Sequence, residues 1–135
     1  MSIEAEKKTI LVVEDDPTLK MLISRQLQDI GYRIETAGSW RETEGVLGRV
    51  EPHLIILDMR LPDANGLEVI GKLAQDHAVI VLTAYASIQN AVQAVRNGAV
   101  AYLSKPMNLE ELELEVKRAI ETVELKRNYE FVRDR

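Results

Sequence analysis

A doubly wound α/β fold, one parallel sheet with helices on both faces, is the architecture this sequence predicts. Three observations carry that expectation. Short apolar runs alternate with stretches of helical periodicity, and the strand–helix alternation repeats five times along the chain. Four of the runs, Ile10–Val13, Leu54–Leu57, Val79–Leu82 and Ala99–Leu103, contain no charged residue, which is how strands covered on both faces read. The length of 135 residues suits one domain, and right-handed crossovers between parallel strands leave few topologies.

Each element has its own signal. After the first run, Asp16 is placed to cap a helix with Pro17 at its first position. Leu19, Leu22, Ile23, Gln26, Leu27 and Ile30 recur at helical spacing before Gly31 ends the helix. Tyr32–Ala37 alternates apolar with polar residues, as a less buried edge strand does. Ser39 and Glu42 make a capping-box pair for a second helix that Glu51-Pro52 closes. Pro62 to Gly66 reads as a loop, followed by a short helix through Leu67, Ile70 and Leu73. Ser87 to Asn97 reads as a fourth helix with Val92 and Val95 apolar and Gly98 as its stop. Asn108 and Glu111 repeat the capping pattern and open a long helix with Leu109, Leu112, Val116, Ala119, Ile120 and Val123 as its core stripe. The expected division is a polar tail over residues 1–8, a folded domain over 9–120 and a helical extension over 121–135, where Thr122, Leu125, Tyr129 and Val132 keep coiled-coil spacing.

Composition narrows the function. A net charge of −5 argues against a nucleic-acid surface, which needs a basic face. No apolar run approaches the ~20 residues of a membrane span, and Met1 to Thr9 lacks the apolar core of a signal peptide, so the expected location is the cytoplasm. With no cysteine there is no disulfide, thiolate metal site or cysteine nucleophile, and two histidines make a multi-histidine zinc site improbable. His53, His77 and Trp40 receive no functional role.

The chemistry lies just beyond the apolar runs. Glu14, Asp15 and Asp16 come after the first, Asp58 after the second, Thr83 after the third, and Ser104 and Lys105 after the fourth. Open parallel sheets bind ligands beyond the carboxyl ends of their strands, so one crevice receives carboxylates, a hydroxyl and an ammonium. Each residue alone has an ordinary explanation as a helix cap or turn residue; the joint placement is the signal. Asp15, Asp16 and Asp58, with the main-chain carbonyl of Met59, form an oxygen-only set suited to Mg2+. An aspartate can attack phosphorus to give an aspartyl phosphate. Lys105 and the cation would neutralise the phosphoryl oxygens, and Thr83 would donate a hydrogen bond to one of them.

These residues resemble the receiver domain of bacterial two-component response regulators. The resemblance rests on Val12-Val13-Glu14-Asp15-Asp16, on Leu57-Asp58-Met59-Arg60-Leu61-Pro62-Asp63-Ala64-Asn65-Gly66, on Leu82-Thr83-Ala84 and on Tyr102-Leu103-Ser104-Lys105-Pro106, and runs from about Thr9 to Ile120. It implies a flavodoxin-like (CheY-like) fold with strand order 2-1-3-4-5. It also implies phosphorylation of Asp58 by a sensor histidine kinase, metal binding by Asp15 and Asp16, and a switch pair of Thr83 and Tyr102. Lys105 would contact the phosphate, before a Lys105–Pro106 bond that is often cis in the family. Thr83-Ala84-Tyr85-Ala86-Ser87-Ile88 and Asn108-Leu109-Glu110-Glu111-Leu112 are similar to NtrC-type (sigma-54-dependent) activators, whose output domains are missing from this chain. The resemblance leaves two surfaces for a homodimer: the last helix, and the face of the fourth helix, fifth strand and fifth helix. On this reading the chain is a signalling switch that assists its own phosphoryl transfer, not an enzyme.

Three competing readings remain open on the sequence. An aspartate-nucleophile phosphatase would need a second acid two residues after Asp58, where Arg60 stands. A flavin or dinucleotide site would need a glycine- or hydroxyl-rich phosphate loop where Glu14, Asp15 and Asp16 stand. A receiver fold that acts by protein–protein contact without phosphorylation is the third.

Overall fold

The computed structural model describes residues 7–133, with side chains described through Lys126. The elements run β1 (Thr9–Val13), α1 (Pro17–Asp29), β2 (Arg33–Ala37), α2 (Trp40–Leu47), β3 (Leu54–Asp58), β4 (Arg60–Leu61), β5 (Ala64–Asn65), α3 (Gly66–Leu73), β6 (Ala78–Thr83), α4 (Ile88–Arg96), β7 (Ala101–Ser104) and α5 (Leu109–Arg133). Five strands form one parallel sheet in the order β2-β1-β3-β6-β7. Counting only those strands, the order is the expected 2-1-3-4-5.

Strand alternation builds two cores from each apolar run. Leu11, Val13, Ile55, Leu57, Val79 and Val81 face one side and pack with Val46 of α2, Val69, Ile70 and Leu73 of α3, and Ala94 of α4. Ile10, Val12, Leu54, Ile56, Ile80 and Leu82 face the other and pack with Ile23 and Leu27 of α1 and Leu112, Val116, Ala119 and Ile120 of α5. Each fully buried Leu or Ile is worth about 1.5–3 kcal/mol, so the central strands anchor both layers.

Caps end the elements largely where the residue chemistry requires. Asp16 accepts from the N–H groups of Thr18 and Leu19, with Pro17 next in the chain. Ser39 Oγ accepts from Glu42 N–H, while the Glu42 carboxylate reaches back to Gly38 N–H. Gly31 and Gly98 terminate α1 and α4 with φ of 109° and 111°, where a Cβ would be strained.

The structure departs from the sequence reading in four places. The α2 helix ends at Leu47, before Glu51-Pro52, because Gly48 caps it. The stretch expected as a loop after Asp58 contains a two-residue antiparallel ladder, β4 with β5. The run Ala99–Leu103 was expected to be covered on both faces, yet Ala101 and Tyr102 are only partly buried, because β7 is an edge strand. Periodicity also cannot say which side of a helix faces in: Leu22 of α1, Ile30 at its C-cap, and Val92 and Val95 of α4 lie exposed. Of the expected seam beyond residue 120, Leu125 is exposed; the side chains of Tyr129 and Val132 lie outside the described ones.

Candidate functional site

Register brings the chemistry to one level. Val13 pairs with Leu57, Asp58 with Leu82, and Thr83 with Ser104. Glu14, Asp58, Thr83 and Lys105 therefore emerge together at the carboxyl edge of β1, β3, β6 and β7.

The centre of this group is an ion-paired triad. Lys105 Nζ donates to Glu14 Oε1 at 2.6 Å and to Asp58 Oδ2 at 3.0 Å. Asp58 Oδ1 accepts from the N–H of Arg60 at 2.9 Å, and Glu14 Oε2 from the N–H of Asp16 at 3.1 Å. Glu14 and Asp58 are buried. Burial pushes the Glu14 carboxyl up; Lys105 and the Asp16 N–H partly offset this, and neighbouring Asp58 adds to it. For Lys105, burial alone would lower the ammonium pKa, but hydrogen bonds and charge from Glu14 and Asp58 outweigh it and hold it above its ordinary value.

Glu14, Asp15 and Asp58 each bring a carboxylate oxygen within 4.8 Å of the others. Three carboxyl groups converge on one ammonium, and every donor is a hard oxygen. That set fits a divalent hard cation. The sequence places Glu14 in the crevice but not among the expected metal ligands, and Asp16, expected among them, is not in the cluster. Its Oδ1 caps α1 at 2.9 Å from Thr18 N, because the chain has already turned into the helix three residues beyond the strand. The Glu14 N–H still bonds to Ala37 O at 2.9 Å, so Glu14 continues the ladder of β1. Gly66 meets the loop after Asp58 so closely that a Cβ there would overlap the Met59 carbonyl oxygen.

The remaining expected residues surround the triad. Thr83 is buried, and its Oγ1 accepts from Tyr85 N–H at 3.0 Å, leaving its own proton unspent. Tyr102 packs on the core of the α2–α3–α4 side, with its buried hydroxyl lacking a hydrogen-bond partner. The Lys105–Pro106 peptide is cis. A shallow pocket of about 430 Å³ beside the triad is lined by Met59, Arg60, Gly66, Thr83, Tyr85 and Asn90 among others. A larger one of about 550 Å³ lies at the opposite end of the strands, near His53 and His77, away from this chemistry. There His53 Nδ1 accepts from Thr9 N–H at 3.1 Å, and His77 Nδ1 donates to Pro52 O at 3.2 Å.

A family model described as the response regulator receiver domain matches residues 10–117. The chain belongs to the response regulator receiver family. The doubly wound CheY-like fold, with acidic strand ends at its switch point, is that of a receiver. The regulatory protein AtoC of Escherichia coli is 30% identical over 121 residues, covering 87% of this chain and 26% of AtoC. A response regulator from Burkholderia pseudomallei, solved with a phosphorylated aspartic acid, calcium ion and citrate, is 32% identical with a TM-score of 0.76, over 92% of this receiver and 75% of that chain. The beryllofluoride-activated NtrC4 receiver domain dimer is 33% identical with a TM-score of 0.80, over 85% and 98%. The relatives thus include the NtrC-type activators that the motifs resemble. The receiver spans between 25% and 60% of the lengths of the curated relatives compared. Receivers are phosphorylation-controlled signalling switches that pair with histidine kinases and act on output domains, and they bind a divalent metal at this acidic pocket. Among the described residues, no helix is long and apolar enough to cross a membrane.

Proposed function

We propose that Asp58 is the phosphoacceptor of this receiver, fed by a sensor histidine kinase. The observation that carries this is the Lys105–Asp58 contact at 3.0 Å beside a buried acid cluster. An Asp58 carboxylate oxygen attacks phosphorus. The Oδ–P bond forms as the N–P bond of phosphohistidine breaks, and its electron pair leaves with the imidazole. Lys105 offsets charge on the phosphoryl oxygens, and the unspent Thr83 proton is available to one of them. Glu14, Asp15, Asp58 and the Met59 carbonyl would hold Mg2+; Asp16 is reassigned to helix capping. Bound there, the cation supplies neutralisation of phosphoryl charge during in-line transfer.

The output depends on Thr83 and Tyr102. Movement of the Thr83 hydroxyl toward the phosphoryl group frees space on the side where Tyr102 packs, and the α4–β7–α5 face changes shape. That face carries exposed Ile88, Val92 and Val95 of α4, apolar surface suited to a partner or a second copy. On this reading residues 9–120 are the switch and the end of α5, residues 121–133, a link to an output domain, with the whole acting in the cytoplasm on transcription. The domain is modified once per signalling cycle and is not an enzyme acting on a stream of substrates. Beryllofluoride with Mg2+ tests the assignment: amide shifts are expected around Asp58, Thr83 and α4 in wild type and none in Asp58→Asn. Equal shifts in both proteins would remove Asp58 from its role.

A further inference from the structure

Tyr85 is more than half exposed, yet it is held at three points. The Arg60 guanidinium carbon stacks 3.7 Å from its ring centroid. Its N–H donates to Thr83 Oγ1 at 3.0 Å, and its carbonyl accepts from Asn90 Nδ2 at 3.0 Å. Both anchors are themselves fixed. Arg60 donates its own N–H to Asp58 and pairs with Asn65 in the short ladder. Asn90 lies in the first turn of α4, where its N–H is capped by Ser87.

From this geometry we infer that the Arg60–Tyr85 stack is a latch that holds Thr83 in its resting position. The inference rests on Asp58 being the phosphoacceptor. If the Thr83 hydroxyl moves toward Asp58, the Tyr85 N–H loses its acceptor unless Tyr85 follows. Tyr85 follows only by leaving Arg60 or dragging Asn90 and the start of α4. The stack therefore adds to the cost of the active state, and Arg60 and Tyr85 act as positioning residues through Thr83. The same connection makes α4 sense the position of Thr83 by a route separate from Tyr102.

The test is a double-mutant cycle read by beryllofluoride affinity in Mg2+, with melting temperature as the folding control. Tyr85→Ala is expected to tighten beryllofluoride about two- to fivefold, the range of an exposed cation–π contact. Tyr85→Phe keeps the ring and is expected to match wild type. In an Arg60→Ala background, Tyr85→Ala is expected to change nothing, because the latch is already open; this comparison also removes any direct effect of the Arg60 charge on the anion. Weaker or unchanged binding in Tyr85→Ala, or the same gain with and without Arg60, overturns the latch. Failure of wild type to bind beryllofluoride at all would instead strike the Asp58 assignment.

Discussion

Lys105 Nζ lies 2.6 Å from Glu14 Oε1, its shorter carboxylate contact. Lys105 thus pairs with the first acid after β1 as well as with Asp58, and that makes Glu14 a member of the site. The consequence separates two neighbouring acids. Glu14→Gln is expected to weaken Mg2+ binding at least about tenfold, the scale of losing a supporting metal-site group. Asp16→Asn keeps a good helix cap and is expected to leave Mg2+ affinity unchanged. Calorimetric titration of both variants decides between them; a loss in Asp16→Asn and none in Glu14→Gln would reverse the assignment.

Removing Lys105 leaves two buried carboxylates facing each other. Lys105→Ala is expected to cost about 1–3 kcal/mol at neutral pH in metal-free buffer, the penalty for stranding buried polar partners. Added Mg2+ should recover part of that loss. Urea unfolding with and without the cation reads both quantities, and a variant as stable as wild type without metal would show the triad to be energetically idle.

The raised Glu14 pKa fixes a sign for pH dependence. Its protonated form is favoured in the folded protein, so this contribution to stability is fully present below the ordinary value of 4.5 and is lost as pH rises through the folded pKa. The stability of metal-free wild type relative to Glu14→Gln should therefore fall across that window, and Mg2+ should flatten the fall. Parallel melting curves for the two proteins over the same pH range would contradict it.

The legible part of this molecule is the part written locally. Four apolar runs and the residues after them located Asp58, Thr83 and Lys105, because a strand end is marked by where its apolar run stops. The distinction between Glu14 and Asp16 was not legible, since two positions along a run of acids separate the side chain that continues the strand from the one that caps the helix. Contacts between distant segments left no local trace either. Asp63 and Trp40 lie in different parts of the chain, yet Asp63 Oδ1 accepts from Trp40 N–H at 2.8 Å and Oδ2 from Arg41 N–H at 3.0 Å. Arg60 and Tyr85 likewise meet only because β3 and β6 are neighbours.

That Asp63 contact ties the loop after Asp58 to the start of α2. Hydrogen bonds from Trp40 and Arg41 hold its carboxyl below the ordinary 3.8. Its contribution is therefore present above that value and is lost as pH falls through the folded pKa. Asp63→Ala is expected to lower the melting temperature at neutral pH and to speed hydrogen exchange at Trp40 and Arg41. Unchanged exchange at those two amides would show that Asp63 does not hold the helix.

Gly66 tests how tightly the loop after Asp58 is built. A methyl group there meets the Met59 carbonyl oxygen, which is backbone and cannot swing aside. Gly66→Ala is expected to cost about 1–3 kcal/mol, typical of overpacking, and to weaken Mg2+ binding by moving Met59. Wild-type stability together with wild-type metal affinity would show that the loop yields without consequence.

The most direct test of the central claim is intact-mass measurement after incubation with acetyl phosphate and Mg2+. Wild type is predicted to gain the mass of one phosphoryl group, to lose it in alkali as acyl phosphates do, and to gain nothing when the metal is chelated or when Asp58 is replaced by Asn. The same mass gain in Asp58→Asn, or none in wild type with Mg2+ present, would contradict the assignment of Asp58 as the phosphoacceptor.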